Sequence, residues 1–330
     1  MPAKVVMTGR SIPCCLVVLL LDAFLSLPAS SQSTSVDNLK TRETSLYANA
    51  HSYVDEPLPE LKKTVHELAK LQPAPGDEEL PGLLQKVGTT ADDLLRRVPD
   101  LISDETVSQS QYTLSQGSIP GCVGSGCYLP GSNTVIDNKF NYLILSHPAK
   151  DSRQLLQEYR TGTNGKPVRQ GVETPNFQGF VVAWIIFSSP NQVESRFRYL
   201  GQQQIDGHKT FVIGFRQIPG SVESPGVIVD GAESVPMLLQ GIAWIDKDNF
   251  RIVRLRTDLL ASIPGLRMRK QTANILFSSI HISGMDSDLW LPTTVRMEMD
   301  ARGQYIQEQH KYSNYRLYRS KTRIIFPPDN

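Results

Sequence analysis

The residues that could carry chemistry in this sequence are scattered, and they form no local catalytic signature. The chain has no phosphate-binding GxxxxGK(S/T) loop, no GxSxG turn and no HExxH helix. The carboxylate pairs Asp246/Asp248 and Asp286/Asp288 lie beside turn-forming residues, where aspartate ordinarily stabilises the turn. The sequence therefore predicts a protein that is not an enzyme and uses no cofactor. A hydrolase assembled from distant strands is an alternative.

The histidines are also dispersed along the chain. None lies two or four residues from another, which is the spacing that places two imidazoles on one side of a strand or helix. A metal site would have to be assembled entirely by tertiary structure, so no metal is predicted. The histidines are His51, His66, His147, His208, His281 and His310.

Two cysteines, Cys122 and Cys127, flank a glycine-containing loop. In an oxidising compartment a pair this close usually closes into a small disulfide loop. Their spacing lacks the two-residue gap of thioredoxin-like and zinc motifs. No second pair remains to complete a metal site, because Cys14 and Cys15 lie in a predicted signal peptide. We predict a structural disulfide, with a redox or metal role as the alternative.

Residues 1–31 have the features of a secretory signal peptide. Lys4 and Arg10 precede an apolar run from Cys14 to Leu27, and small residues stand before Gln32. The run is shorter than the roughly 20 residues of a membrane-spanning helix and contains a carboxylate, which disfavours an uncleaved anchor. The mature protein is therefore predicted to be secreted across the cytoplasmic membrane, to the periplasm or cell envelope.

The charges nearly cancel over the whole chain, with 34 Lys and Arg against 33 Asp and Glu. This balance disfavours a protein that binds nucleic acid through bulk basicity. The charges are unevenly distributed, because the segment before about residue 135 is acidic and the remainder is basic. Opposite charges predict that the two parts pack against each other.

The hydrophobic periodicity divides the chain into four segments: a signal peptide (1–31), a flexible leader (32–56), an acidic helical segment (57–135) and a sheet domain (136–330). In the helical segment we predict three short amphipathic helices. The first ends near Gln72, the second closes at Gly88 and the third is capped by Thr90. Residues 103–132 are turn-rich and predicted to be a loop.

Beyond residue 135 the periodicity changes to the alternation of strands. Short turns join most of the strands, at Asp206-Gly207, at 246–249 and at 301–303. The pattern predicts an antiparallel meander of about ten strands. The predicted strands are 140–145, 157–161, 180–187, 196–205, 209–217, 238–245, 251–257, 271–282, 291–300 and 304–318.

Large apolar side chains are concentrated in these predicted strands. A sheet with so much aromatic surface must close on itself or enclose something apolar. A filled core is the ordinary explanation for any single one of these residues, so a cavity is not established by composition. The candidate ligand-lining residues are Trp184, Ile186, Phe211, Ile213, Phe215, Trp244, Leu255 and Phe277.

Three arginines, Arg251, Arg254 and Arg256, lie in a strand that alternates with apolar positions. A solvated outer face is the usual meaning of such a pattern. The alternative is an electropositive rim that pairs with the acidic helices or with anionic headgroups. We therefore consider these residues candidates for headgroup binding.

The sequence Gly241–Asp246 followed by Phe250–Leu255 resembles the outer-membrane lipoprotein-sorting superfamily, the LolA/LolB-like group with its RseB-type and LppX-type relatives. The shared feature is a strand that ends in a Trp-Ile-Asp-like turn, followed by an Arg-Ile-x-Arg-Leu strand. The resemblance covers roughly residues 138–325 and is carried mainly by this hairpin.

This resemblance implies an α+β fold, in which a strongly curved antiparallel half-barrel carries short packed helices. It also implies binding of acyl chains or lipidated peptides without catalysis, with Trp244 near the cavity and Asp246 in the hairpin turn. In typical members the helices interleave with the strands, whereas here most of the helical signal precedes the sheet.

The sequence thus predicts a secreted, non-enzymatic envelope protein that holds a lipid, acyl chain or lipoprotein on the concave apolar face of a half-barrel. The alternative is an envelope interaction or sensor module, which docks a protein partner while its barrel core is simply packed. No nucleic-acid partner is expected.

Overall fold

The computed structural model describes most of the chain after residue 40. The described residues are 16–18, 41–114, 130–148, 154–168, 179–223, 226–230 and 233–319. Cys122, Cys127 and all of the predicted signal peptide except residues 16–18 lie outside them.

The described chain contains fourteen strands, four α-helices and short 3-10 turns. The α-helices are α1 (41–47), α2 (Leu58–Thr64), α3 (Leu80–Arg97) and α4 (Val182–Phe187). The strands are β1 (Leu16–Val18), β2 (Gln72–Pro73), β3 (Leu101–Leu114), β4 (Pro130–Pro148), β5 (Gln154–Gly162), β6 (Ser195–Ile205), β7 (His208–Gln217), β8 (Gly226–Asp230), β9 (Glu233–Met237), β10 (Leu239–Asp246), β11 (Ile252–Leu259), β12 (Met268–Ile280), β13 (Leu289–Ala301) and β14 (Gln304–Leu317).

Eleven of the described strands form one antiparallel sheet that does not close. Their order is β2-β6-β7-β10-β11-β12-β13-β14-β3-β4-β5. Strands β10 to β14 therefore form a meander, and β14 pairs with β3, which comes much earlier in the chain. Strands β1, β8 and β9 form a small separate sheet. The prediction of an α+β curved half-barrel is confirmed.

The predicted hairpin turns are confirmed, and their backbone conformations explain the residues at their tips. Asp206 and Gly207 have φ angles of 46° and 86°, and Arg302 and Gly303 have 56° and 75°. Two consecutive positive φ angles are what a two-residue hairpin turn requires, and Gly and Asp tolerate them well. Asp246 stabilises its turn by accepting backbone hydrogen bonds from the two residues that follow Lys247.

The prediction that one helix ends at Gly88 and another begins at Thr90 is wrong, because α3 continues through both residues. Gly88 serves a close approach between elements: a Cβ atom there would lie 2.7 Å from side-chain atoms of Ser189 and Gln192. The Thr90 hydroxyl donates to the Lys86 carbonyl within the helix instead of capping it.

The predicted strand at 180–187 is also wrong, because Val182–Phe187 forms helix α4. Four of its six side chains, those of Ala183, Trp184, Ile186 and Phe187, are buried. A short, uniformly apolar run has no period that distinguishes a buried strand from a buried helix.

The predicted loop at 103–132 contains a long strand, β3, which pairs with β14 on one side and β4 on the other. Its polar sequence concealed it from a search based on hydrophobic alternation. Of the rest of that predicted loop, residues 115–129 lie outside the described residues, and 130–132 belong to strand β4. Strands β8 and β9 were not predicted either. Strand β3 adds part of the predicted acidic segment to the sheet.

The two faces of the sheet at β6, β7, β10 and β11 are covered by different parts of the chain. On one, the α4 face, Phe187 packs on Phe197 and Phe215, while Trp184 contacts Phe277. On the opposite face, residues 53–72 lie over the strands. The sheet is therefore the middle layer of three in this region.

Ion pairs hold residues 53–72 to the opposite face. A Glu67 carboxylate oxygen lies 3.2 Å from Arg254 Nη2 and 3.0 Å from Arg256 Nη1, and Arg256 Nε lies 2.8 Å from Asp258. Burial raises the pKa of Glu67, but Arg256 and Arg254 outweigh this effect and hold the pKa below its ordinary value. This is a contact between the acidic segment and the basic sheet of the kind that the charge distribution predicts.

We expect Glu67→Gln to lower the free energy of unfolding by about 1–3 kcal/mol, because two partly buried arginines lose a charged acceptor. Urea unfolding at low and high salt measures this loss, which should shrink as salt screens the pair. Glu60→Gln is the matched control, since Glu60 pairs with Lys63 in solvent and should change stability by less than about 0.5 kcal/mol. Equal losses in the two variants would contradict the prediction.

Candidate functional site

A groove lies between helix α3 and the ends of several sheet strands. Helix α3 contributes the apolar side chains Val87, Ala91 and Leu94, which are spaced four and three residues apart and therefore share one helix face. Leu80–Arg97 forms a helix because this apolar stripe faces the protein while its charged residues face solvent. One wall of the groove is thus a helix that is not hydrogen-bonded into the sheet.

The other wall is aromatic. Trp184 reaches it from α4, Phe250 from the β10–β11 hairpin and Trp290 from the start of β13. The indole nitrogen of Trp290 donates a 2.6 Å hydrogen bond to the Ile252 carbonyl, which fixes the ring. Phe250, with a φ of 58°, stacks on Phe211 with ring centroids 6.2 Å apart.

The groove is narrow, with a cavity volume of about 40 Å³. A cavity of about 150 Å³ is what an engineered apolar site needs to hold benzene, whereas one water needs about 10–15 Å³. The groove as it stands therefore has space for a few water molecules and none for an alkyl chain. A larger apolar ligand would enter only if α3 moved away from the sheet.

Side-chain hydrogen bonds to neighbouring elements hold α3 in place. At its C-terminal end the Arg97 guanidinium donates to the Ser287 hydroxyl across the mouth of the groove. Asp92 accepts a 3.1 Å hydrogen bond from the Ser189 backbone, and Gln192 donates to the Leu84 carbonyl at 2.8 Å.

Four charged residues line the groove, and three of them share a hydrogen bond with a neighbouring side chain. Asp93 lies 3.1 Å from Arg97 on the same helix, and Asp288 lies 3.1 Å from His281. Hydrogen bonds from His281 and from Ser279 lower the pKa of Asp288. The remaining charge is that of Arg251, considered below.

Most of the predicted ligand-lining residues lie on the α4 face or in α4 itself. Trp184 lines the groove, while Phe211 supports it by stacking on Phe250. Residues in a second group are packed in the core and almost inaccessible to solvent. These are Ile186, Ile213, Phe215, Leu255 and Phe277.

Trp244 alone among them lies on the opposite face. Its indole nitrogen donates to Gln203 at 3.3 Å, and the Arg254 guanidinium lies 5.0 Å from its ring. The structure therefore separates Trp244 from the groove by the full thickness of the sheet.

The three candidate headgroup arginines are separated in the same way. Arg251 lines the groove. Arg254 and Arg256 lie on the opposite face, where both pair with Glu67 and Arg256 also pairs with Asp258. Because alternate residues of a strand point to opposite faces, Arg254 and Arg256 share a face with each other.

Sequence reasoning did not select Trp290, Phe250 or the apolar stripe of α3 as ligand-lining. The stripe was visible as helical periodicity, and Trp290 was visible as one of only three tryptophans. Nothing in the sequence indicated that these segments meet, because they lie far apart along the chain.

A second cluster of ionisable side chains lies on the α4 face near the other end of the sheet. Glu105 accepts two hydrogen bonds from Arg160, at 2.6 and 2.8 Å. The ring nitrogens of His310 lie 2.8 Å from Glu105 and 3.1 Å from Glu308, and Gln109 also donates to Glu308. These groups form a buried network that joins β3, β5 and β14.

The network sets the charges of its members. Burial raises the pKa of Glu105, but Arg160 and His310 outweigh it and lower this pKa to about 2. Burial lowers the pKa of His310, but hydrogen bonds to Glu105 and Glu308 outweigh it and raise this pKa. Glu105 and Arg160 are therefore charged at neutral pH, and each satisfies the other.

Within the described ranges, no group of three or more His, Cys, Asp or Glu side chains is arranged to hold a metal ion. None of the helices in the same part of the chain is long and apolar enough to cross a membrane.

No protein-family model and no curated protein matches this chain. Among solved structures it is similar to a DUF1329 family protein from Desulfovibrio piger, at 14% identity and a TM-score of 0.37 over 72% of this chain and 92% of that one. It is also similar to a putative outer membrane lipoprotein-sorting protein domain from Vibrio parahaemolyticus, at 14% identity and a TM-score of 0.29 over 71% and 90%.

A third similar structure is the lipoprotein LppX from Mycobacterium tuberculosis, at 14% identity and a TM-score of 0.23 over 71% of this chain and 95% of that one.

Proposed function

We propose that this chain is a non-enzymatic envelope protein that binds a lipid, an acyl chain or a lipidated protein in the groove between α3 and the sheet. The observation that carries the proposal is that two apolar surfaces face each other across the groove. One is the stripe of α3, and the other is formed by Trp184 and Trp290. An acyl chain could take the place of one of these surfaces and pack against the other.

Binding would proceed by displacement of α3 and not by filling of an existing cavity. The groove of about 40 Å³ opens when α3 moves outward, and the acyl chain then takes the place of the helix stripe against the aromatic wall. Each methylene removed from water contributes about 0.8 kcal/mol, so a long chain offsets the loss of the helix contacts without any catalytic step.

The tryptophans provide a direct test, because the chain has only three. Trp184 and Trp290 line the groove, whereas Trp244 is buried on the opposite face. A fatty acid that carries bromine atoms on its chain quenches tryptophans that it contacts. We expect it to quench the fluorescence of the wild type and of Trp244→Phe, and to leave the double variant Trp184→Phe/Trp290→Phe unquenched.

The two phenylalanine substitutions keep an aromatic ring in the groove, so binding itself should persist in the double variant. Displacement of a radiolabelled fatty acid measures this independently. Quenching that persists in the double variant would place the acyl chain near Trp244 and contradict the proposed site. If the wild type shows neither quenching nor binding of the radiolabelled fatty acid, the proposed function is wrong.

The second candidate is an envelope interaction or sensor module with a packed core. It is favoured by the complete burial of Ile213, Phe215 and Leu255, which are packed in the hydrophobic core. Extraction of the protein from its native envelope, followed by mass spectrometry, separates the candidates. Co-purifying lipid supports the carrier, whereas a lipid-free protein that co-purifies with a stoichiometric protein partner supports the module.

A further inference from the structure

We infer that Arg251 binds the head of the ligand, and that the ligand is an amphiphile with a carboxylate or phosphate head. This inference rests on the proposed function, since it assigns the polar end of the same groove. It narrows the ligand class from any molecule with an apolar chain to a molecule that also has an anionic head.

The first support is the charge balance at the mouth of the groove. Asp93 and Arg97 neutralise each other, and Asp288 accepts a hydrogen bond from His281. Of the two arginines that line the groove in the described part of the chain, Arg97 has a carboxylate within 4.0 Å of its side chain and Arg251 has none. Asp288 feels its charge at longer range. A cation beside an apolar groove with no close counter-ion is positioned to receive one from a ligand.

The second support is the position of the guanidinium over the aromatic wall. It lies 5.7 Å from the centre of the Trp290 ring, and that ring is itself fixed by the hydrogen bond to Ile252. The Arg251 backbone is held by a 2.9 Å hydrogen bond to the Asn249 side chain. A head bound at Arg251 would therefore leave its chain directed along Trp290 into the groove.

The third support is that the neighbouring arginines are already committed elsewhere. Arg254 and Arg256 share the carboxylate of Glu67 on the opposite face, and Arg256 also pairs with Asp258. Of the three candidate arginines, Arg251 is therefore the one placed to bind the head of a ligand in the groove. A guanidinium suits carboxylate and phosphate equally, because either can accept two parallel hydrogen bonds from it.

Three probes with the same twelve-carbon chain distinguish the possible heads: dodecanoate, dodecyl phosphate and dodecanol. Each is titrated against the bound brominated fatty acid, and recovery of tryptophan fluorescence gives its affinity. We expect the wild type to bind at least one anionic probe more tightly than dodecanol. In Arg251→Gln that probe should lose about tenfold in affinity, which corresponds to about 1.4 kcal/mol, while dodecanol is unchanged.

Arg196→Gln is the matched control, because Arg196 is an exposed arginine that pairs with Asp55 away from the groove. Its affinities should equal those of the wild type. If Arg251→Gln and the wild type bind the anionic probes equally, the role of Arg251 is overturned while the proposed function stands. If the wild type binds none of the probes and is not quenched, the proposed function fails and this inference fails with it.

Discussion

Arg160→Met is expected to lower the free energy of unfolding by about 3–5 kcal/mol, because it leaves the Glu105 carboxylate buried without its main cationic partner. Glu105 is inaccessible to solvent, and the Arg160 side chain that faces it is 7% exposed. Methionine preserves most of the apolar stem of arginine, so the loss reports the charge and not a cavity. Urea unfolding followed by circular dichroism measures it.

The same pair predicts how stability depends on pH. The pKa of Glu105 is about 2 in the folded protein and 4.5 as its ordinary value. The contribution of Glu105 to the free energy of unfolding is therefore complete above pH 4.5 and is lost as the pH falls toward 2. For His310 the pKa is raised, so its contribution is complete below its ordinary pKa of 6.5 and is lost as the pH rises through the raised value.

The stability difference between the wild type and Arg160→Met should shrink as the pH falls from 4.5 toward 2, because without Arg160 the pKa of Glu105 is no longer held so far below its ordinary value and less stability is lost when it protonates. Arg269→Met is the control: Arg269 pairs with Asp300 but is 59% exposed, and an exposed pair contributes about 0–1 kcal/mol. A loss of similar size in both variants would show that the buried network has no special role in stability.

The parts of the fold that the sequence predicted are those where local chemistry and tertiary structure agree. The turns at Asp206-Gly207 and Arg302-Gly303 need positive φ angles, and their residues show this directly. In strands β12, β13 and β14 buried positions tend to alternate with more exposed ones, so their period of two is visible. Neighbouring strands joined by short turns then determine most of the sheet order.

The errors occurred where a segment is buried on all sides or buries polar groups. The six residues of α4 are apolar almost throughout, and only their tertiary surroundings make them a helix. Strand β3 presents Glu105 and Gln109 to the protein interior, where Arg160 and Glu308 satisfy them. A pattern that equates buried with apolar cannot recognise such a strand.

The groove depended on information that no local pattern contains. Its walls come from α3, α4, the β10–β11 hairpin and the start of β13. Sequence reasoning identified Trp184 and Arg251 as candidates but grouped them with Trp244, Arg254 and Arg256. Those three residues lie across the sheet, because a β-bulge between Trp244 and Ile245 and the curvature of the sheet decide which side chains meet.

Trp184→Ala is expected to lower the free energy of unfolding by about 3–5 kcal/mol, the usual cost of truncating a fully buried large aromatic side chain. Trp184 is 2% exposed and contacts Phe180 and Phe277. Because it also lines the groove, its removal should enlarge the groove into a cavity that matches an indole ring. Added indole should then stabilise the variant and raise its melting temperature. At an indole concentration a hundredfold above its Kd, the free energy of unfolding should rise by about 2.7 kcal/mol.

Trp244→Ala is the matched control, since it deletes the same side chain at an equally buried position on the opposite face. Both variants should be destabilised, but dodecanoate should compete with indole only in Trp184→Ala, where the new cavity adjoins the proposed acyl site. Competition in both variants would mean that dodecanoate acts on the protein at large. Indole rescue of Trp184→Ala without competition by dodecanoate would show that α3 seals the groove against acyl chains, and the packed interaction module would then be the better account of this fold.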